Sequence, residues 1–239
     1  MLGAGPPVLL HHGFASSSQT NWVRPGVAAA LTAAGRSVVL IDARGHGESD
    51  KPHEPAAYAG DAMTRDAQGL LDHLGLDSVD VVGYSMGSLV AMELAGRDPR
   101  VRSLILGGTG RPPDAGTATN QARLIAEGLE AAERAAITDP TAVAFRHFAD
   151  ATGADLLALA AWQRSCRPVP DMVALGQISV PTLVLNGEKD TLVRSPEWLT
   201  EAIPGARLRL VPGDHLSVVV KPEFTRAILE FLPAVAPPP

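Results

Sequence analysis

Gly83-Tyr84-Ser85-Met86-Gly87 decides how this chain is read. The five residues follow an apolar run, Val79 to Val82, that suits a strand, and they precede a run from Ser88 to Arg97 that suits a helix. A strand turning sharply into a helix holds its turn residue in a strained backbone conformation, with the side chain clear of the sheet. Gly83 and Gly87 remove the side chains that would collide where strand, turn and helix crowd together. Ser85 then stands exposed at the carboxyl end of a strand, a candidate nucleophile. The Met86 N–H sits at a helix N-terminus, where developing negative charge is stabilised.

Working outward, four more strand ends complete the case. Val8 to His11 runs into His12-Gly13-Phe14, and Gly13 lets the backbone fold so that the Phe14 N–H joins that of Met86 in an oxyanion hole. His11 and His12 are read as supports of that turn. Pro212-Gly213-Asp214-His215 follows the last strand-like run. Imidazole takes and returns a proton near neutral pH, so His215 is the candidate general base. Val184 to Asn186 leads into Gly187-Glu188-Lys189-Asp190. A buried carboxylate is needed to fix the imidazole tautomer, and Asp190 is preferred over Glu188 and Asp214. Asp42-Ala43-Arg44-Gly45-His46-Gly47-Glu48-Ser49 ends a further strand and reads as a hydrogen-bonded loop bracing the oxyanion turn. The order Ser85, Asp190, His215 along the chain fits a strand–turn–helix nucleophile.

Between these sites the chain alternates short apolar runs with alanine-rich ones, the pattern of a parallel sheet covered on both faces. Strands are expected at Pro7 to His11, Ser37 to Asp42, Ser78 to Tyr84, Val101 to Gly107, Thr182 to Asn186 and Arg207 to Val211. Helices are expected at Val23 to Ala34, Tyr58 to Leu74, Met86 to Arg97, Pro196 to Ala202 and Pro222 to Phe231. The alternation breaks between Thr109 and Ile178. That stretch is too long for a structureless connection. It reads as an inserted helical cap over residues 109–178, with helices at Asn120 to Ala136, Thr141 to Ala151, Ala154 to Arg164 and Asp171 to Leu175. Residues 1–108 and 179–239 form the core.

Composition narrows the partners. Hydrophobic residues make up 46% and charged residues 19% of 239, with a net charge of −6. No basic run could neutralise phosphates, so no nucleic-acid partner is expected. Cys166 is the single cysteine, which excludes an internal disulfide and a cysteine zinc site; it reads as a small buried residue. No metal-ligand spacing or dinucleotide fingerprint appears, and no cofactor is expected. The start lacks a basic, apolar leader and no stretch is long enough to span a bilayer, so no membrane partner and a cytoplasmic location are expected. The proline-rich tail from Pro233 reads as a frayed terminus.

Together these motifs make the chain resemble the α/β-hydrolase family over nearly its whole length. The carriers are His12-Gly13 with Phe14, Asp42-x-Arg44-Gly45-His46-Gly47-x-Ser49, Gly83-Tyr84-Ser85-Met86-Gly87, Asp190 and His215. The resemblance implies a mostly parallel, doubly wound sheet of about six strands with a helical cap over the site. It implies Ser85 as nucleophile, His215 as base, Asp190 as acid, and Phe14 and Met86 as backbone oxyanion donors. The family usually carries an antiparallel strand pair ahead of His-Gly, for which this chain has no room. Ser37 to Asp42 then becomes an apolar sheet edge, which predicts either a homodimer paired through it or a start truncated relative to a longer protein.

The expected reaction is hydrolysis of a carboxylic ester with a small to medium, mostly uncharged acyl group, by a serine esterase working through an acyl-enzyme. C–C bond hydrolases, lactonases and perhydrolases resembling this pattern share the triad, and slow-turnover receptors share the fold, so these stay open. Serine at position 85 argues against the branches that use an aspartate nucleophile. Candidate substrate contacts are Tyr84, Phe145, Phe148 and Trp162, with Leu156, Leu157 and Leu159; at helical spacing such residues also serve plain packing. Arg111, Arg146 and Arg164 are the cations that could approach the pocket.

Overall fold

A computed structural model describes residues 1–165 and 172–232. The expectations for Cys166 and for the proline-rich tail lie outside the described residues. Six parallel strands, β1 (Pro7–His11), β2 (Ser37–Ile41), β3 (Val79–Tyr84), β4 (Val101–Gly107), β5 (Thr182–Gly187) and β6 (Arg207–Val211), form one sheet in the order β2-β1-β3-β4-β5-β6. All six coincide with expected strands to within a residue at each end. The first five are short runs rich in β-branched and leucine residues and largely buried on both faces, whereas β6, at the second edge, alternates arginine with leucine and is only partly buried.

The strand period of two sorts side chains between two cores. From β1 and β3, Leu9, Val79 and Val81 join one cluster, while Val8, Leu10, Val82 and Tyr84 join the other. The second face is covered by α1 (Val27–Ala33) and α9 (Pro222–Phe231), through Val27, Leu31, Phe224 and Ile228. The first is covered by α2 (Ala62–His73), α3 (Met86–Ala95) and α8 (Glu197–Ala202). Each fully buried leucine or phenylalanine contributes about 1.5–3 kcal/mol.

Between β4 and β5 lie α4 (Ala115–Glu130), α5 (Pro140–Thr152), α6 (Leu156–Arg164) and α7 (Met172–Gly176). Three of them begin on an aspartate cap. Asp114, Asp139 and Asp155 accept from the N–H groups of Thr117, Ala142 and Ala158 at 2.9, 2.8 and 3.0 Å. A cap of this kind stabilises a helix start by about 1 kcal/mol. The cap at Asp114 moves the start of α4 five residues ahead of the expected Asn120, and α4 ends at Glu130, with a separate 3₁₀ turn at Arg134–Ala136. Two core helices are also shorter than expected. Gly26, at φ 86°, closes a π-helical turn at Gln19–Val23 before α1 begins. Gly60, at φ 62°, separates a 3₁₀ turn at Pro55–Tyr58 from α2. Left-handed backbone cannot continue a right-handed helix.

β2 is the sheet edge, as anticipated, but its own chain covers part of it. Leu2 forms an antiparallel bridge to Val38, with N–H···O distances of 2.8 and 2.7 Å. Val38 and Val39 are buried despite the edge position. No described helix is long and apolar enough to cross a membrane.

Candidate active site

The strand order reverses between β1 and β3, because the chain winds outward from β1 to β2 and then returns past it. In such sheets the crevice beyond the carboxyl ends at this point is where ligands bind. The turns after β1 and β3 carry Phe14 and Ser85.

Ser85 has φ 51° and ψ −113°, a backbone conformation that L-residues rarely adopt. The glycines around it are required by contact. A Cβ on Gly83 would lie 2.3 Å from the Gly87 oxygen, and one on Gly87 would lie 2.2 Å from the His11 oxygen. The turn is further tied down by Ser88, whose Oγ lies 2.9 Å from the Gly83 oxygen and 2.8 Å from that of Gly107.

A hydrogen-bonded line runs from this serine to a buried carboxylate. His215 Nε2 lies 3.0 Å from Ser85 Oγ, and His215 Nδ1 lies 2.7 Å from Asp190 Oδ2. The partners fix the tautomer: Nδ1–H donates to the carboxylate, leaving Nε2 to accept from the serine hydroxyl. Asp190 Oδ1 accepts from the N–H groups of Leu192 and Val193 at 3.0 and 3.2 Å, so neither oxygen is left without a donor. The Asp190 side chain is 1% exposed, and that of His215 is 11% exposed. The alternatives at Glu188 and Asp214 take no part. Asp214 instead accepts from Leu216 and Ser217, holding the turn that presents His215.

The turn after β1 is braced from two sides. The Gly13 N–H donates to Asn21 Oδ1 at 3.0 Å. His12 Nδ1–H donates to the Gly13 oxygen at 2.8 Å while its Nε2 accepts from the Ala43 N–H at 3.0 Å. Such a bridge requires a neutral imidazole. Burial holds His12 well below its ordinary pKa, assisted by His46 and His11 nearby. His11 and His46, equally buried, are each lowered to about 4. The loop after β2 adds its own ties. Burial pushes the Asp42 carboxyl up, but N–H donors from Glu48 and Ser18, at 2.9 and 2.7 Å, outweigh it and leave its pKa lowered. Arg44 forks onto Asp66 at 2.6 Å through two nitrogens. The His46 ring packs edge-on against Phe14, with centroids 5.8 Å apart. His12 and the Asp42 loop thus act as the supports expected of them, while His11 makes only a 3.3 Å contact with the neighbouring His12 carbonyl. Asn21 was not foreseen; only the packing of the loop after Gly13 brings it there.

A cavity of about 500 Å³ opens over Ser85 and His215. Phe14 and Met86, the residues expected to supply the oxyanion donors, both border it. Phe145 and Trp162 descend into it from the helices between β4 and β5. The two rings and Phe14 form a contiguous aromatic group, with centroids 5.4 and 4.8 Å from that of Phe14.

Two expected substrate contacts need correction. Tyr84 does not line the cavity. It shares the strand parity of Val82, so its ring points to the opposite face of the sheet and packs against Phe224. Its hydroxyl donates to the His215 carbonyl at 2.5 Å, and burial, with Asp190 and Asp214 nearby, raises its pKa well above the ordinary value. Tyr84 therefore supports the base instead of touching a ligand. Phe148 also lies off the cavity and packs against the core. It lies three residues, about 4.5 Å of helical rise, beyond Phe145. Among the cations, Arg111 reaches the rim. Arg146 is consumed by Asp150 and the Ala131 carbonyl, and Arg164 by Glu130. Arg194, at the rim beside Arg111, had no distinguishing sequence signal. Among the described residues, no group of three or more His, Cys, Asp or Glu is placed to hold a metal ion.

Comparison with known proteins matches this geometry to one family. The model for the alpha/beta hydrolase fold matches residues 6–165. The chain is 32% identical to the candidate carbamate hydrolase RutD of Variovorax paradoxus, over 98% of this chain and 94% of that one. Among solved structures it is similar to a hydrolase from Pseudomonas aeruginosa, with TM-score 0.76 and 27% identity over 96% of this chain and 91% of that one. It is also similar to a thermophilic esterase from Thermogutta terrifontis, with TM-score 0.75 and 29% identity over 95% and 89% of the two chains. With a six-stranded parallel sheet and helices on both faces, the chain belongs to the α/β-hydrolase family.

Proposed function

We propose that this hydrolase is a serine esterase that cleaves carboxylic esters of small to medium, mostly uncharged acids through Ser85, His215 and Asp190. The observation that carries the reading is the unbroken line Asp190–His215–Ser85, at 2.7 and 3.0 Å, ending in a cavity large enough for an ester. His215 Nε2 takes the Oγ proton as Ser85 attacks the carbonyl carbon. The Phe14 and Met86 N–H groups receive the oxyanion, and Asp190 stabilises the imidazolium. The imidazolium then protonates the leaving alkoxide. Water, deprotonated by the same nitrogen, releases the acid from the acyl-enzyme. The helices between β4 and β5 act as the cap, limiting solvent at the carbonyl and shaping what enters.

A second reading has a specific observation behind it: relatives matching the full chain at 32% identity are candidate carbamate hydrolases. A carbamate ester carbonyl suits the same attack: the alcohol or phenol leaves, a carbamoyl-enzyme replaces the acyl-enzyme, and water releases a carbamic acid that decomposes to amine and carbon dioxide. An aryl-ester panel run beside an aryl-carbamate series separates the two. The expected outcome is fast ester turnover that falls by about 10⁴-fold or more in Ser85→Ala. Full activity in that variant would sink the assignment of the nucleophile. Turnover of carbamates alone would replace the ester reading with the second.

A further inference from the structure

A second cavity, of about 340 Å³, adjoins the first along α3 and opens to solvent past Gly96, Arg97 and Gln177. Met86, Leu89 and Met92 of α3, with Trp162 and Leu175, border both cavities. The two cavities therefore adjoin along one stripe of α3, where Met86, Leu89 and Met92 recur at three-residue spacing on one face of the helix. Three of the chain's five methionines, Met63, Met86 and Met92, sit on these walls. Methionine is unbranched and adaptable, the residue best able to swing aside for a ligand.

The second cavity follows one face of α3 from Met86, beside the nucleophile, through Val90 to Arg97 at its far end. At 1.5 Å per residue that path is about 16 Å long. Its middle is apolar, with Met63, Val90 and Ile178 as walls. The charges at the far end satisfy one another. Arg97 donates to Asp61 at 2.8 Å and lies 2.7 Å from Glu93, which also accepts from Thr64 at 2.6 Å. Such an end offers no uncompensated charge to a ligand's terminus. An occupant that fits is unbranched, uncharged and long.

We propose that the two cavities form one channel in the loaded enzyme, and that the inner one receives the straight aliphatic acyl chain of the substrate ester. The inference rests on the esterase reading and makes it specific: medium-chain fatty-acyl esters are preferred over acetyl esters. Met86 and Met92 are the side chains that part to admit the chain. Each methylene buried along the channel is worth about fourfold in kcat/KM.

The test is the acyl-length profile of nitrophenyl esters, from acetyl through butyryl and octanoyl to dodecanoyl. It is measured on the wild type, on Val90→Phe and on Gln177→Trp. Val90 borders only the inner cavity, and Gln177 is an exposed residue at its rim, where a larger side chain leaves the core undisturbed. The wild type is expected to gain at least tenfold from acetyl to octanoyl. Both variants should lose that gain while keeping butyryl turnover, which also reports that they are folded. A wild-type profile flat or falling beyond acetyl overturns the channel. So does a profile unchanged in both variants, and in either case the esterase reading stands. Absence of turnover on every ester removes both proposals together.

Discussion

The turns at the strand ends and the helices that cover them are built on different principles. Around Ser85 each group is fixed by a backbone contact or a hydrogen bond with a named partner. Gly87 leaves no room for a Cβ beside the His11 carbonyl, and His215 is held through Asp190 on one side and the Tyr84 hydroxyl on the other. Phe145 is instead held by ring packing, and Trp162 by ring packing with one hydrogen bond from Nε1 to the soft Met63 sulfur at 3.1 Å, on helices whose starts depend on single aspartate caps. Reaction geometry tolerates little displacement, since an error of an ångström costs about 10²-fold. Substrate selection tolerates more, because apolar contact is non-directional. The difference predicts that mutations on the two sides will have effects of different size and kind.

The largest effect tests the rigid side. Asp190→Asn keeps the shape but presents an amide where Nδ1–H needs an acceptor, which favours the wrong tautomer. The expected loss is about 10⁴ in kcat with KM little changed. Thermal stability should stay near the wild type, since Oδ1 can still accept from Leu192 and Val193. A loss that appeared mainly in KM would put Asp190 among the binding groups and erase the contrast with the cap.

Acid should undo the same side first. His11 and His46 are held neutral by burial, with pKa values lowered from 6.5 to about 4, and His12 is lowered as well. Below 6.5 the unfolded chain binds protons that the folded chain refuses. Stability therefore falls as pH drops from 6.5 towards 4, by a few kcal/mol in total. Melting followed across that window should show the decline. His46→Phe should make it shallower by that residue's share, since the ring already packs against Phe14 and its Nε2 has no hydrogen-bond partner, at the cost of the Nδ1 bond to the Arg44 carbonyl. An unchanged slope in that variant would move the cause to other groups.

How legible each side was in the sequence follows the same division. All six strands could be read because short β-branched or leucine-rich runs bounded by glycine turns have few alternatives. The meeting of Ser85, Asp190 and His215 was legible because each lies just beyond a strand end, where topology alone brings distant residues together. Tyr84 was misread although strand parity was available: it alternates with Ser85 and shares a face with Val82. The start of α4 was also legible in principle, since Asp114 with Thr117 three residues on is a capping signal. Asn21 and Phe148 are another matter. Whether a buried amide meets Gly13, or which ring on α5 overhangs the cavity, depends on how a loop or helix is seated, and no local pattern encodes that.

Asn21→Ala asks how much of the rigid side's precision comes from a residue that touches no reacting atom. Removing Oδ1 strands the Gly13 N–H, a cost of about 1–3 kcal/mol. Asn21 Nδ2 is itself buried without a partner, so its removal offsets part of that cost. The effect on melting should consequently be small. Catalysis should suffer more, because the Phe14 donor loses one brace while His12 keeps the other. Losing a donor outright costs about 10²–10³ in kcat, so a loosened one is expected to cost about tenfold. Asn21→Asp should recover most of it by restoring an acceptor. Failure of that rescue would assign the loss to packing.

Phe145→Ala should give the smallest effect and the most diagnostic one. The ring meets Phe14 edge-on and borders the cavity, yet makes no hydrogen bond to the reacting groups. It is only partly buried, so truncation should cost less stability than the 3–5 kcal/mol typical of a phenylalanine in a sealed core. The expected result is a rise of a few-fold in KM for bulky aryl esters, with kcat for the acetyl ester within about twofold of the wild type. The same truncation at Phe148, which lies off the cavity, should leave both constants unchanged and lower only the melting temperature. A fall in acetyl-ester kcat in Phe145→Ala would mean that the ring holds the Phe14 turn in place. The covering helices would then belong to the rigid machinery, and the division between attack and selection would have to be redrawn through Phe14.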